Sequence, residues 1–396
     1  MKRQRLKKYL EAIDLHDEKA RKWAIYGCFG LLFVLSIVIR KGLIHYQNGD
    51  FLVFINWYNF AKAHGFHSFK YGYSNYNPPF TYFIYIATLL PISKVVALKG
   101  IMAAFDVILA VAVYFAVKVF RPQGNTPLVA ALTTMFLPTV LVTGVMWGQF
   151  DQLYIAGVVF SLYAGLRNNS RWAWIWFGIA IAVKFQAIFF LPVLLIMIFK
   201  RIRWYDAIWA VGAFLVLTLP PMIAGRSLHS LLNIYPAQAQ VGSGYLTLNA
   251  PNLYQWFPAS YFPLLYHLGI GVAVAACLFI LVYTLEHKKF SKAELLLCTS
   301  LVLYVVPFLL PEMHERYFFP ATIGSLILAF AYPTKLYAGI AVVAQVVVIF
   351  SYGPFLFGYT PVPFTYLALA VLAIICALAS KYFMLPKTEL IAKTST

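Results

Sequence analysis

The sequence predicts an all-α, polytopic membrane protein with about twelve transmembrane helices, and three observations support this fold class. Of its 396 residues, 62% are hydrophobic and 11% are charged, and the mean hydropathy is +0.77. A soluble domain has about 25% charged residues. The apolar residues form long runs, and most lysines and arginines lie in short segments between them. This distribution explains the net charge of +18 as a topology signal, and it predicts no nucleic-acid partner.

The start of the chain is predicted to be a basic cytoplasmic segment, residues 1–23, ahead of the first span. The first apolar run, residues 23–39, is followed by Arg40 and Lys41. A cleaved signal peptide would instead show small residues at a cleavage site. We therefore expect a retained signal anchor and a membrane-embedded domain over residues 24–380. A cytoplasmic tail is expected over residues 381–396.

Twelve apolar runs are candidates for transmembrane helices. They lie at residues 24–39, 95–117, 128–146, 150–166, 172–184, 185–199, 204–224, 260–285, 293–310, 317–332, 336–352 and 362–380. Several are shorter than the roughly 20 residues that a straight span needs. Some neighbouring pairs are therefore expected to be broken or only partly inserted.

The distribution of cations predicts which loops lie on which side of the membrane. With both termini in the cytoplasm, the inner segments carry 22 of the 31 lysines and arginines. This bias would fail if residues 80–92 spanned, so that stretch is predicted to form an interfacial helix. The outer face then receives two large loops, residues 40–94 and 226–258. We expect a protein of the cytoplasmic membrane whose active site faces outside.

Asp50 is the first candidate functional residue, and two interpretations of it stay open. It lies just outside the first span, where a carboxylate at the membrane surface could accept a proton from a hydroxyl group. Alternatively, Asp50 caps the helix that the following apolar spacing predicts.

Further polar residues collect in the predicted outer segments, each with a structural alternative. Gln149 and Asp151 in the segment WGQFD could bind sugar hydroxyls or position a base, or they could form a tight turn with an Asp cap. Lys184 could pair with a phosphate or extend to the membrane interface. Asp106 lies within a span, where a structural contact with a polar neighbour is the favoured interpretation.

The segment LPEMHERYFFP, residues 310–320, contains four ionisable side chains between two apolar runs. They are Glu312, His314, Glu315 and Arg316. Ionisable groups at membrane depth cost roughly 2.5–3.5 kcal/mol each, so they usually face a partner or a cavity. The segment therefore predicts a site for an anionic head group, together with a salt bridge inside the cluster.

Six motifs in order resemble the signposts of GT-C superfamily glycosyltransferases over residues 50–320. Members that use polyprenyl-phosphate sugars, mannosyltransferases among them, are the branch that the sequence resembles. The motifs are NGD, YSNYNPPFTYFIYI, MWGQFDQLYIAG, VKFQAIFFLPVLL, TLNAPNLYQWF and LLPEMHERYFFP.

The resemblance implies roles for individual residues. Asp50 would be the catalytic carboxylate, and Lys184, His314 and Arg316 would bind the donor phosphate. Sugar or acceptor contacts are assigned to Gln149, Asp151, Gln186, Asn249, Asn252 and Glu315. Many GT-C members carry paired acidic residues in the first outer loop, but Asp50 has no acidic neighbour. Because a single carboxylate is a poor site for a hard divalent cation, no metal or other cofactor is expected.

The resemblance implies an inverting glycosyltransferase that moves a hexose, mannose or glucose, from a polyprenyl-phosphate carrier. The expected partners are this donor, membrane lipids, and a glycan, lipid or protein acceptor. A transporter or flippase for a lipid-linked glycan is the main alternative, although it would need a midplane site open to both sides. A non-catalytic subunit of a membrane assembly is a third interpretation.

Overall fold

The computed structural model describes residues 18–239, 244–286 and 290–384. The predicted N-terminal segment lies mostly outside these residues, as does the predicted tail beyond residue 384. Within them the protein is nearly all-α, as the sequence predicts.

The helices α1 to α18 follow one another along the chain with short connections. Their bounds are α1 Glu18–Leu43, α2 Gly49–His64, α3 Pro78–Thr88, α4 Lys94–Lys118, α5 Thr126–Phe136, α6 Pro138–Leu141, α7 Asp151–Leu166, α8 Ser170–Val183, α9 Leu191–Lys200, α10 Ala207–Ile223, α11 Leu228–Leu232, α12 Ile234–Ala239, α13 Phe262–Glu286, α14 Lys292–Leu309, α15 Phe319–Ala331, α16 Lys335–Ser351, α17 Gly353–Phe357 and α18 Phe364–Met384. A π-helical turn, Val142–Met146, follows α6. The 3₁₀ turns are Gly65–Lys70, Phe185–Phe190, Trp204–Asp206, Leu253–Trp256, Ala259–Tyr261 and Glu315–Phe318, and two short strands are β1 Thr247–Leu248 and β2 Met313–His314.

All twelve apolar runs contain helix, but the predicted count of about twelve spans is not confirmed. Among the described residues, six helices are long and apolar enough to cross a membrane: α1, α4, α10, α13, α14 and α18. Counting α5 and the helical segment Pro138–Met146 as one span, with a bend of 49° between them, gives seven. Helix α7 has 16 residues and therefore measures about 24 Å, against a hydrocarbon core of about 30 Å. Together these helices describe a multi-pass membrane protein.

The predicted first outer loop contains two helices, α2 and α3, joined by a 3₁₀ turn. Helix α3 covers Pro78–Thr88, slightly earlier than the predicted residues 80–92, because Pro78 and Pro79 occupy its first positions. Its 11 residues extend about 16 Å, which is too short to span. Neither helix is among the candidate spans.

Small residues allow the central helices to approach one another closely. Gly178 in α8 faces the backbone of Ala210 in α10, and a Cβ atom at this position would overlap that backbone. Small residues at such crossings are typical of helices packed within membranes. Helix α8 also packs along α7, and α7 along α4. These contacts place the N-terminus of α7 beside the C-terminus of α8.

A two-stranded parallel sheet connects the second large loop to the segment that carries Arg316. Thr247 pairs with Met313 and Leu248 with His314, while the Glu312 backbone N–H donates to the Leu246 carbonyl over 3.0 Å. Glu312 has a φ of +60°, a conformation that non-glycine residues rarely adopt. The sheet thus holds residues 312–314 against residues 246–248.

Candidate functional site

Asp50 does not cap α2, because Asn48 holds that position. The Asn48 side-chain oxygen accepts the Phe51 backbone N–H over 2.9 Å. Asp50 lies within the first helical turn, and its side chain is 34% exposed. Its Oδ2 atom accepts hydrogen bonds from Trp147 Nε1 at 3.1 Å and Gln149 Nε2 at 3.0 Å. The turn that carries Trp147 and Gln149 therefore orients the Asp50 carboxylate.

The turn holding Trp147 and Gln149 depends on a glycine. Gly148 has a φ of +88°, and a Cβ atom there would overlap the Phe51 ring. The turn follows the π-helical segment directly, with the Trp147 N–H donating to the Val142 carbonyl over 2.8 Å. This close approach presents the Trp147 indole N–H and the Gln149 amide to Asp50.

Arg316 lies at the centre of the cluster, with three carboxylates around it. Its Nη1 atom is 3.3 Å from Glu315 Oε1 and 3.9 Å from Asp50 Oδ2. Its Nε atom is 3.9 Å from Asp151 Oδ2, and the guanidinium lies over the Trp147 ring at 5.2 Å. The side chain is 12% exposed. Arg316 therefore connects the predicted base to the interior of the bundle.

Glu315 and His314 support Arg316 from the other side. Burial opposes ionisation of the Glu315 carboxyl, but His314 and the positive charge of Arg316 outweigh burial and lower its pKa. His314 Nδ1 is 3.7 Å from Glu315 Oε2, and its side chain is 25% exposed. The charged form of Glu315 is thus the form that this environment favours.

Lys184 and Asp151 form a buried ion pair beneath Arg316. Helix α8 ends at Val183, and Lys184 has an extended backbone that separates it from the following 3₁₀ turn. The ammonium group also lies 5.2 Å from the centre of the Phe150 ring. Asp151 Oδ2 and Arg316 Nε are both buried without a hydrogen-bond partner among the described residues. Lys184 therefore reaches the cluster through Asp151.

Two tyrosines that sequence reasoning did not assign to the site complete its wall. Tyr76 donates from its hydroxyl to Gln149 Oε1 over 3.3 Å, and Gln186 Nε2 donates to the Tyr317 hydroxyl over 2.8 Å. The Gln186 Oε1 atom is buried with no partner in the described part of the chain. Tyr76 lies in YSNYNPPFTYFIYI, one of the six motifs that carry the family resemblance, and this was the sequence signal that could have identified it.

Asn249 and Asn252 lie beside the cluster and support its loops. Asn249 is exposed and forms an isolated β-bridge with His314. Asn252 is fully buried, where its Oδ1 accepts the Tyr254 N–H and its Nδ2 donates to the Leu310 carbonyl. Their geometry connects the second large loop to the segment before Arg316.

Arg40, Lys99 and Asp106 form a second group of buried polar residues, on helices α1 and α4. Asp106 has the polar neighbour that its structural interpretation expects, namely Arg40, whose Nε is 2.9 Å from Asp106 Oδ2. Lys99 is fully buried and donates to the carbonyls of Tyr46 and Met146. Tyr46 lies four residues before Asp50 in the chain, and Met146 directly precedes Trp147. Lys99 therefore holds together the two segments that meet at Asp50.

Among residues 18–239, 244–286 and 290–384, no group of three or more His, Cys, Asp or Glu side chains could hold a metal ion. The expectation that no metal is required stays a prediction.

The described helices and the cluster around Arg316 define a multi-pass membrane protein with a charged site lined by aromatic rings. The family model described as Glycosyltransferase family 87 matches residues 75–307, more than half of the chain. The chain therefore belongs to glycosyltransferase family 87, a membrane family of the GT-C type, and the resemblance to GT-C enzymes is confirmed. Among curated proteins, no match to the chain is found.

The matched segment covers part of the cluster. Gln149, Asp151, Lys184 and Gln186 lie within it, whereas Asp50 and Arg316 lie outside it. Asp50 and Arg316 are therefore included in the candidate site because of their contacts, and not because of the family match.

Proposed function

We propose that this glycosyltransferase inverts configuration at the sugar and moves a hexose, mannose or glucose, from a polyprenyl-phosphate carrier to an acceptor hydroxyl. The reaction takes place at the outer face of the cytoplasmic membrane, with Asp50 as the base. One observation supports this proposal above all others. Asp50 has one oxygen fixed by Trp147 and Gln149, and it lies 3.9 Å from the guanidinium of Arg316.

The proposed reaction requires one base and a site for the departing phosphate. Asp50 Oδ1 accepts no hydrogen bond among the described residues, so it is available to the acceptor hydroxyl. As Asp50 takes the proton, the acceptor oxygen forms a bond to the anomeric carbon. The bond from that carbon to the phosphate oxygen breaks, and the phosphate leaves with the electron pair. Glycoside hydrolysis needs a second carboxyl group as acid, but a phosphate leaves as a stabilised anion.

Arg316 is proposed to bind the donor phosphate. A guanidinium has five N–H donors, and Arg316 has one partner, Glu315, within hydrogen-bond distance among the described residues. Its contacts of 3.9 Å are too long to be direct hydrogen bonds, so donors remain for a ligand. His314, which is partly exposed beside it, is assigned to the same phosphate. Arginine binds phosphate well because its fork can form two parallel hydrogen bonds.

The roles of the neighbouring residues are refined by their burial. The assignment of Lys184 to the phosphate stays a prediction, and its burial favours an action through Asp151. Glu315, predicted at the sugar or acceptor, is buried, so we propose that it positions Arg316. The unpartnered oxygen of Gln186 is proposed to accept a sugar hydroxyl.

The remaining predicted sugar or acceptor contacts lie around this centre. They are Gln149, which also orients Asp50, together with Asp151, Asn249 and Asn252. Asn252 is fully buried with both side-chain groups bonded inside the protein, so we propose that it supports the loop instead of contacting the sugar. The acceptor is proposed to be a glycan, a lipid or a protein.

Transfer by the purified protein tests this proposal. Radiolabelled hexoses would be presented on polyprenyl phosphate and, in parallel, as nucleotide sugars. We expect transfer from polyprenyl-phosphate mannose or glucose and none from the nucleotide sugars. Transfer from nucleotide sugars alone would contradict the assignment of the donor. The transporter alternative predicts movement of a lipid-linked glycan without a new glycosidic bond.

A further inference from the structure

We propose that the protein binds an anionic phospholipid in a basic cleft at the opposite end of the bundle from Asp50. The cleft is lined by the cations Lys118, Arg167 and Lys292 and by Asn168. An aromatic groove, formed by Phe115, Phe160, Tyr163, Trp172 and Trp176, shares Arg167 with this cleft.

The lengths of two helices give the distance between this cleft and the candidate active site. Helix α4 carries Lys99 near its start and Lys118 at its end, 19 residues apart, which corresponds to about 28 Å. Helix α7 begins at Asp151 and ends next to Arg167, a separation of about 24 Å. The cleft is therefore a separate site.

The position of the cleft corresponds to a membrane boundary. Lys118 is the last residue of one candidate span and Lys292 is the first residue of another. Both border the same cavity of about 380 Å³. Since spans end where the hydrocarbon core ends, this cavity lies at the level of lipid head groups.

The aromatic groove provides a surface for the apolar part of the ligand. It has a volume of about 490 Å³, and a third cavity of about 240 Å³ shares Lys118, Tyr163 and Arg167 with its neighbours. Trp172 is 52% exposed, while Trp176 stacks on Phe160 with ring centres 4.5 Å apart. Cavities of this size are typical of small-ligand sites. The groove and the cleft together fit a molecule with an apolar and an anionic end.

The cations of the cleft have no described carboxylate as an ion-pair partner. Lys118 donates to the Tyr114 hydroxyl at 3.4 Å, and Arg167 donates to the Tyr163 hydroxyl at 3.3 Å. The nearby carboxylate of Glu294 accepts the backbone N–H of Ser291 instead. Three positive groups therefore remain available to one negative ligand.

These observations favour a phospholipid over a free anion. Basic pockets between transmembrane helices at a membrane surface bind anionic lipid head groups. The phosphate would lie between Lys118, Arg167 and Lys292, and an acyl chain would follow the aromatic groove. A free phosphate would make no use of the exposed Trp172.

Lipid binding to the purified full-length protein tests this proposal. Affinity would be measured with fluorescent phosphatidylglycerol and, in parallel, with phosphatidylcholine carrying the same label. The double variant Lys118→Gln/Lys292→Gln should lose roughly 10- to 30-fold in affinity for phosphatidylglycerol, because each lysine near an anionic lipid surface contributes to the free energy of lipid binding. The matched control Lys335→Gln/Lys381→Gln removes the same charge elsewhere and should bind normally.

Two further measurements keep the proposal falsifiable if the double variant unfolds. Trp172→Ala should weaken phosphatidylglycerol binding severalfold, and glycerophosphate should compete poorly because it has no acyl chain. Equal binding of the two lipids by the wild-type protein would overturn the proposal. So would normal phosphatidylglycerol binding by the folded double variant, or competition by glycerophosphate at concentrations similar to those of the lipid.

Discussion

Replacing Arg316 should separate two roles, one in stability and one in donor binding. Arg316→Ala leaves the Glu315 carboxylate, whose side chain is 3% exposed, with His314 as its remaining basic neighbour at 3.7 Å. Removing one partner of a buried ion pair typically costs about 3–5 kcal/mol. The single variant should therefore lose both stability and donor binding, which would leave its activity difficult to interpret.

A second substitution resolves this difficulty. In Arg316→Ala/Glu315→Gln the buried negative charge is also removed, so much of the lost stability should return. Donor binding should not return, because the phosphate still lacks the guanidinium. Loss of one charge-assisted hydrogen bond costs about 1.5–3 kcal/mol, which corresponds to about 10- to 150-fold in affinity. Arg316→Lys should show an intermediate loss, since lysine keeps the charge without the bidentate fork.

Thermal unfolding in detergent would measure stability, and the KM for the polyprenyl-phosphate sugar together with direct donor binding would measure affinity. Arg121→Ala is the matched control, because Arg121 donates to the Ala331 carbonyl far from the cluster. A folded double variant with wild-type donor affinity would refute the reasoning and leave Arg316 as a structural partner of Glu315.

Three further predictions follow from the same geometry. Lys99→Met should lower kcat more than donor affinity, because the segments that orient the base lose their shared hydrogen-bond donor. Lys94→Met, on the exposed start of the same helix, should change neither kcat nor donor affinity. Equal kinetics for the two variants would contradict the role of Lys99. A cysteine at Lys70 should react with an impermeant thiol reagent from outside and one at Lys335 should not, and the reverse pattern would invert the topology. Transfer should survive EDTA, and a loss restored by Mg²⁺ or Mn²⁺ would reveal a metal requirement.

The sequence predicted the helices better than it predicted how they cross the membrane. Apolar runs identify helices because a polar backbone must satisfy its hydrogen bonds within the segment. Run length does not show where a helix bends. Pro138 divides one predicted span, residues 128–146, whereas the break at Lys184 coincides with a predicted span boundary. The partner of Lys184 is a tertiary feature that the sequence does not show, because Asp151 lies 33 positions away in the chain.

The site was predictable in its residue types and less so in its contacts. An isolated polar residue in an apolar chain indicates a function or a partner, and this rule predicts Asp50, Asp151 and Arg316 as site residues. Their mutual arrangement depends on packing, since 266 positions separate Asp50 from Arg316. The helix-capping signal was ambiguous because Asn and Asp cap about equally well, and Asn48 holds the capping position. Pairing of residues 247–249 with 313–314 left no pattern in the sequence.

The most direct test of the proposed mechanism is the turnover of Asp50→Asn. Asparagine keeps the size of the side chain and an oxygen that can accept from Trp147 and Gln149, but it does not act as a base. We expect the variant to fold, bind donor normally and lose roughly 10²–10⁴-fold in turnover. Asn48→Ala is the control, because it removes the helix cap, costs about 0.5–2 kcal/mol and leaves the carboxylate in place. A folded Asp50→Asn protein with wild-type turnover would contradict the assignment of Asp50 as the base.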